Sequence, residues 1–382
     1  MYNIQLLNKI AKCGTEIFGD NYNVAEDVSN ADGIMVRSAA MHDMELPDSL
    51  LAIARAGAGV NNIPIDKCSD NGIVVFNTPG ANANAVKELA ICALLLASRK
   101  IVDGINWAST LTEDVAKAVE KGKSAYVGPE LAGKTLGVIG LGAIGALLAN
   151  TALHLGMNVY GYDPFITVDA AWRLSKSVKH AKSLDEIYAN CDYISIHVPS
   201  TPDTKGMINE SSIANMKDGV RIINLARADL VNATDIKKAI AAGKVGSYVT
   251  DFPTEETVGV PGIVAIPHLG ASTPESEDNC AVMAANELKN FLETGNIRNS
   301  VNYPNAEIPY TGEKRICIFH KNVPAMLSQI STLLSDEKIN IENMVNGSKK
   351  DNAYTLIEVA EVPAGLAEKI CAIENVVRVR VI

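Results

Sequence analysis

The stretch Gly137-Val138-Ile139-Gly140-Leu141-Gly142-Ala143-Ile144-Gly145 decides how the chain folds. The short apolar run Thr135 to Ile139 predicts a buried parallel strand, which passes directly into Gly-x-Gly-x-x-Gly. Behind it Ala143 to Leu155, rich in Ala and Leu, predicts a helix. Then Val159-Tyr160-Gly161-Tyr162-Asp163 predicts a second strand ending in an acid. A lone glycine cluster would mark only a turn, but strand, glycines, helix, strand and acid in this order form a dinucleotide-binding fingerprint. Gly140 supplies the tight turn, Gly142 lets the backbone approach the pyrophosphate, and Gly145 lets helix and strand pack closely. The pyrophosphate is expected at the helix N-terminus. Asp163 would accept hydrogen bonds from the ribose and repel a 2′-phosphate, so NAD is favoured over NADP.

A length of 382 residues suggests two or three domains, and 47% apolar with 20% charged residues is ordinary soluble composition. The net charge of −10 argues against nucleic-acid or anionic-membrane binding, so an anionic substrate needs a local basic patch. Seven cysteines, widely spaced and without Cys-x-x-Cys, predict reduced thiols in a cytoplasmic protein, with no disulfide framework and no metal site. Ile4 to Leu7 is too short for a signal peptide and Leu89 to Ala97 too short to span a bilayer.

Around the fingerprint the chain alternates strands and helices. Before it, Tyr2 to Leu7, Gly33 to Ser38, Ala52 to Arg55 and Val74 to Phe76 predict strands of a first lobe. Carboxyl ends of strands line the ligand crevice of an open α/β sheet. Arg37, Ser38, Arg55, Gly57, Ala58, Gly59 and Asn61 are therefore placed to meet a ligand. Ala83 to Arg99 predicts a buried helix crossing into the dinucleotide lobe, and Thr112 to Lys121 a more polar one. After Asp163 come a helix at Ser183 to Tyr188, strands at Asp192 to Val198 and Val220 to Arg227, and a helix at Asn232 to Ala242. Strands at Ser247 to Thr250 and Val264 to Ile266 complete this lobe, and the helix Thr273 to Thr294 is expected to return to the first. A final βαββαβ succession has strands at Arg315 to His320, Ile339 to Ile341, Tyr354 to Val359 and Val376 to Val381. Its helices are Ala325 to Leu334 and Ala364 to Ile370. The expected fold class is α/β, with two Rossmann-like lobes and a ferredoxin-like C-terminal domain. The expected boundaries are 1–96 with 271–302 for the first lobe, 97–270 for the dinucleotide lobe, 303–312 for a linker and 313–382 for the C-terminal domain.

Three strand ends of the dinucleotide lobe present Arg227, Glu255 and His268. Alcohol oxidation needs a hydride acceptor and a base; histidine titrates near neutrality and can take the proton. A carboxylate beside it would fix its tautomer, and an arginine fork would bind a substrate carboxylate. Singly, His268 after a proline reads as structural, and Arg227 could cap a helix or pair with Asp229. The trio at three successive strand ends favours catalysis.

Gly140-x-Gly142-x-x-Gly145, Asn224-Leu225-Ala226-Arg227 and Pro267-His268-Leu269-Gly270-Ala271-Ser272-Thr273 resemble the D-isomer-specific 2-hydroxyacid dehydrogenases. Arg55-Ala56-Gly57-Ala58-Gly59-Val60-Asn61-Asn62 and Asn77-Thr78-Pro79-Gly80 are similar to the branch of that family acting on 3-phosphoglycerate. The resemblance runs from near Asn30 to the C-terminus. It implies Arg227, Glu255 and His268 as the catalytic residues, with Glu256 the alternative to Glu255. It places Thr78, Ala143, Ile144, Asp163, His197, Val198, Pro199, Leu225, Ala226, Gly270 and Ala271 at cofactor-contacting positions. The family's usual Asp against the nicotinamide amide falls on Thr250 here, with Asp251 one place later, and either can serve.

The implied reaction is NAD-dependent oxidation of 3-phospho-D-glycerate to 3-phosphohydroxypyruvate, the entry to serine synthesis. Arg37 and Arg55 are the candidate phosphate cations, with Lys123 behind them. A homodimer or homotetramer is likewise implied. The C-terminal domain resembles the ACT regulatory module, which implies L-serine as effector at His320, Asn322 and Asn340. Ala325 replaces the usual glycine there, which leaves an assembly module without an effector as the alternative. Two further readings stay open: a related enzyme acting on glycerate or lactate, and a non-catalytic dinucleotide-sensing regulator.

Overall fold

The computed structural model describes residues 1–382, the side chain of Asp169 excepted. In chain order the strands are β1 (Tyr2–Leu6), β2 (Tyr22–Ala25), β3 (Gly33–Val36), β4 (Ala52–Arg55), β5 (Val74–Phe76), β6 (Thr135–Ile139), β7 (Asn158–Tyr162) and β8 (Lys179–His180). They continue as β9 (Tyr193–Ile196), β10 (Val220–Asn224), β11 (Val245–Thr250), β12 (Ile263–Ala265), β13 (Lys314–Lys321), β14 (Asn343–Lys349), β15 (Asn352–Val359) and β16 (Val376–Val381). The chain divides into two compact units, 82–273 and 1–81 together with 274–382. Among the described residues no helix is long and apolar enough to cross a membrane.

Unit 82–273 is built on a parallel sheet in the order β12-β11-β10-β9-β6-β7-β8. Its central strands are mostly apolar and almost wholly buried because helices cover both faces. Helix Ala83–Ser98 packs on one face through Val86, Ala90, Ala93 and Leu94, all buried with Leu136, Val138 and Ile223. This helix, expected in the first lobe, belongs to the dinucleotide unit because its small buried residues fit against helix Ala143–His154 and strands β10 and β11. The strand order reverses between β6 and β9, and the fingerprint turn sits at that switch point.

The other unit carries a five-stranded parallel sheet, β2-β1-β3-β4-β5, and a four-stranded antiparallel sheet, β14-β15-β13-β16. Alternation along β13 divides its side chains between two cores. Ile316 and Ile318 meet helices Met326–Asp336 and Leu366–Cys371 through Ile330, Leu334, Leu366 and Ile370. Cys317 and Phe319 instead join Tyr354 and Leu356 in the core formed by β1, β4, β5 and helix Pro274–Thr294. Phe319 touches Tyr303, Phe291 and Tyr354, with ring centroids 5.0, 6.4 and 4.7 Å apart, and Phe291 in turn touches Phe76 at 5.8 Å. Fully burying each such ring stabilises by about 1.5–3 kcal/mol. The two sheets thus share one hydrophobic core.

One expected strand is misplaced. Ile339 to Ile341 is a loop whose isoleucines pack partly buried beneath the helices, and the strand is Asn343–Lys349. That segment is a polar, exposed edge strand, ordered by its ladder to β15 and not by an apolar pattern of its own.

Candidate active site

At the switch point, the tight turn needs φ of +89° at Gly140, where a Cβ would meet the His197 carbonyl oxygen at 2.5 Å. A Cβ on Gly145 would lie 1.9 Å from the Gly140 oxygen. Around Gly142, by contrast, no described atom beyond the glycine and its chain neighbours lies within 4 Å of the position a Cβ would take, and the helix that follows has no side-chain cap on its first amides. Packed glycines on both sides of an open one, facing uncapped amides, make a cradle for a pyrophosphate. Asp163 accepts from Leu141 N and Phe165 N, each at 2.9 Å, so it buttresses the turn. His197 bonds Ser195 Oγ through Nε2 at 2.8 Å, while its Nδ1 is buried without a partner. Burial pulls this imidazole down to about 4 and keeps it neutral. Val198 and Pro199 follow it at the rim, and Leu225 is buried at the end of β10.

Asn224 organises the turn that presents Arg227. Its Nδ2 donates to Arg227 O at 2.8 Å and its Oδ1 accepts from Ala226 N at 3.1 Å. The Arg227 guanidinium donates to Ala226 O at 2.6 Å and lies 5.6 Å from the centre of the Phe252 ring. His268 stacks against the same ring, centroid to centroid 4.5 Å. Arg227 does not pair with Asp229, whose carboxylate accepts from Ser200 Oγ at 2.6 Å. Phe252, which the sequence reading passed over, therefore holds the arginine and the histidine in one cluster.

Asp251 belongs to the same cluster. It is 1% exposed, bonded by the Gly270 amide, and its Oδ1 has no partner. Burial raises its carboxyl, and His268 and Arg227 pull it back down. Thr250, also fully buried, spends its hydroxyl on Phe252 N at 3.1 Å. Of the two alternatives, Asp251 is the one with a free oxygen. The expected carboxylate–imidazole pair is not formed: among the described residues no hydrogen bond or ion pair joins Glu255 to His268. Thr254 and Thr257 close a turn that leaves Glu255 and Glu256 exposed. Glu256 is held by Lys237 at 2.9 Å, and Glu255 is the glutamate without such a tie.

In the unit holding the first sheet, strand order reverses between β1 and β3. The crevice there is filled from within: Asn8 Oδ1 accepts from Arg37 N, Ser38 N and Ala39 N at 3.1, 3.0 and 2.8 Å. These amides are therefore spoken for, and the side chains remain. Arg55 donates from Nε to Arg37 O at 3.0 Å and lies across the glycine loop, where a Cβ on Gly57 would meet its guanidinium at 2.6 Å. Burial lowers the Arg55 guanidinium, and Arg37 beside it acts in the same direction. Arg37 pairs with Glu277 at 2.5 Å. Asn77 Nδ2 ties down Ala58 O, and Thr78, fully buried, has a hydroxyl without a partner. Asn8 and Glu277 escaped sequence reasoning; the strand-end rule applied to β1 points to Asn8, and no local signal points to Glu277. Lys123 is engaged by Glu120 at 2.5 Å.

The candidate effector residues are tied within the C-terminal sheet. His320 is buried, with Nδ1 against Lys321 O at 2.8 Å and Nε2 against Thr355 Oγ1 at 2.9 Å, so neither ring nitrogen is available to a ligand. Its position in the motif did not reveal these partners, which lie on its own and the neighbouring strand. Asn322 donates to Lys350 O at 3.0 Å and Asn340 to Glu342 at 2.8 Å. Ala325 adopts φ of +67°, a conformation that favours glycine. No group of three or more His, Cys, Asp or Glu among the described residues could hold a metal ion.

The profile described as D-isomer specific 2-hydroxyacid dehydrogenase, NAD binding domain, matches residues 91–274. The chain is 34% identical over 299 residues to the D-3-phosphoglycerate dehydrogenase of Bacillus subtilis (strain 168), which covers 76% of this chain and 55% of that protein. It is 30% identical over 352 residues to the D-3-phosphoglycerate dehydrogenase of Haemophilus influenzae, covering 89% of this chain and 83% of that one. The chain spans about half the length of the Bacillus relative and of a similar one from Archaeoglobus fulgidus. A solved structure of NAD+-bound 3-phosphoglycerate dehydrogenase from Entamoeba histolytica is similar with a TM-score of 0.60 and 27% identity, over 79% of this chain and 98% of that one.

Proposed function

The chain belongs to the D-isomer-specific 2-hydroxyacid dehydrogenase family, with its NAD-binding domain at 91–274, and on that premise we propose that it oxidises 3-phospho-D-glycerate to 3-phosphohydroxypyruvate. The observation that carries this reading is the cluster of Arg227, Asp251, Phe252 and His268 at the carboxyl edge of the fingerprint's own sheet. Bound NAD supplies the hydride acceptor. The cradle at Gly142, the neutral His197 and the free Asp251 oxygen fit such a cofactor, with Asp163 at the ribose and Asp251 at the nicotinamide amide. Ala143, Ile144, Val198, Pro199, Leu225, Ala226 and Ala271 are proposed to line it. The Thr78 hydroxyl, buried and unpartnered, is proposed as a further contact.

His268 takes the proton from the C2 hydroxyl as the hydride leaves C2, and Arg227 binds the carboxylate and polarises the reacting oxygen. Glu255 meets the imidazolium only once the site is charged, since apo hydrogen bonds of catalytic pairs are often unmade. Arg55 and Arg37 recognise the phosphate. Assaying the purified protein with NAD and either 3-phosphoglycerate or D-glycerate tests the reading. Preference for 3-phosphoglycerate is expected, and preference for D-glycerate overturns it.

The C-terminal sheet is proposed to be an ACT-like module serving assembly into a homodimer or homotetramer. The occupied ring of His320 favours this over capture of L-serine.

A further inference from the structure

We propose that Lys87 supplies the positive charge that meets the pyrophosphate of bound NAD. The inference rests on the NAD cofactor and not on which hydroxy acid is oxidised. Between Lys134 and Arg173 the sequence holds no lysine or arginine. The fingerprint strand, its turn, its helix and the strand behind them therefore bring no such cation to a dianionic group. The Asp163 carboxylate stands beside the turn, bonded to Leu141 N, and the whole chain carries a net charge of −10. A dianion held there gains from a cation brought by another element.

Helix Ala83–Ser98 brings one. Near its start, a Cβ on Gly270 would touch Val86 at 3.4 Å and Asp251, the residue that directly follows β11, at 3.2 Å. At its other end, Ser98 Oγ meets Tyr193 OH at 2.8 Å, where β9 begins. The helix thus runs from the carboxyl edge of the sheet to the opposite edge, as does helix Ala143–His154 after β6. The two helices pack on each other, the first over β10 and β11 and the second over β6 and β7. Helical spacing puts Lys87 on one stripe with Leu94 and Ser98, both buried, and Ser98 turns that stripe toward β9, the side on which helix Ala143–His154 lies. Helical side chains lean toward the N-terminus of their helix, which carries the ammonium toward the uncapped amides of the cradle.

Lysine is ordinarily solvated, yet the Lys87 side chain is 17% exposed. Among the described residues it makes no hydrogen bond. Its ion-pair partner is Glu88, at 3.6 Å, and Asn84 Nδ2 already donates to that carboxylate at 2.9 Å. Consecutive residues do not face each other on a helix, so the pair is loose. A largely buried cation with so weak a partner is completed by an anion arriving at the cradle.

Calorimetric titration of wild type, Lys87→Met and Lys87→Arg with ADP-ribose, which carries the pyrophosphate, and with adenosine, which lacks it, tests the assignment. Methionine keeps the apolar stem and the helix propensity and removes the charge. Lys87→Met is expected to weaken ADP-ribose binding about tenfold, the weight of a hydrogen bond to a charged group, and to flatten its salt dependence while adenosine binds as before. Lys87→Arg should hold ADP-ribose near the wild-type affinity. Unchanged ADP-ribose binding in Lys87→Met, or an equal loss with both ligands, overturns the proposal. Wild type that binds neither ligand overturns it together with the cradle. Neither ligand is oxidised, so a failure of the 3-phosphoglycerate reading leaves these outcomes as they are.

Discussion

At the carboxyl edge of the seven-stranded sheet, polar groups are buried and left without partners; in the C-terminal sheet a full guanidinium is buried and lacks none. Asp251 Oδ1 and His197 Nδ1 are the unpartnered atoms of the first region. In the second, Arg315 is fully buried, and its nitrogens donate to Glu358, Thr294 O, Asn296, Ile308 O and Pro309 O at 2.6 to 3.3 Å. An unmade buried hydrogen bond costs about 1–3 kcal/mol. A fold tolerates that where a ligand completes the bond and satisfies every donor where nothing comes and goes. Among the described residues, no unpartnered buried side-chain atom lies between Lys314 and Ile382.

The sharpest way to break this contrast is to remove the proposed base. His268→Ala should lower kcat by about 10²–10⁴-fold while leaving NADH affinity, read by fluorescence titration, near wild type. Unchanged turnover would strip the cluster of its chemistry. On the other side, Arg315→Leu leaves Glu358 buried with only Asn343 to bond it, and should cost about 3–5 kcal/mol in urea unfolding. A loss below about 1 kcal/mol would show that the saturated network is ornamental.

Glu287 tests the exception, since its Oε2 is buried and unpartnered on helix Pro274–Thr294, away from the proposed chemistry. Burial pushes this carboxyl up to about 8, against the donated bond from Asn299 at 2.7 Å and the Arg298 charge. Because the folded value is raised above the unfolded one, its contribution to stability is complete below about 4.5, is lost progressively as pH rises from there, and is gone once pH passes about 8. Glu287→Gln should flatten that decline by about 1.4 kcal/mol for each pH unit it spans, measured by thermal unfolding across the range. A parallel pH profile in the variant would mean that Glu287 stays ionised and has a partner elsewhere.

Much of the fold was legible because its signals are local. The fingerprint, the strands that lead to Arg55, Asp163 and Arg227, and the helix Pro274–Thr294 are all written in short-range apolar pattern and turn chemistry. β14 was hidden because an edge strand buries too little to need an apolar pattern. At the site, residue types at strand ends pointed to Arg227 and His268, but the ring between them did not stand out, since phenylalanine ordinarily reads as core. Asn8 and Glu277 act across 29 to 31 and 240 residues, distances over which pattern carries no information. His320 shows the opposite error. A motif position suggested a ligand contact, and the neighbouring strand's Thr355 had already taken the nitrogen.

Arg378 donates to Asp48 O and Leu50 O just ahead of β4, and its side chain lies against Gly72 just ahead of β5. Arg380 similarly caps the carbonyls of Phe291 and Leu292. Removing β13 to β16 would strip the lid from Phe76, Phe291 and Tyr303 and leave several backbone carbonyls without donors, so the five-stranded and four-stranded sheets are expected to unfold as one.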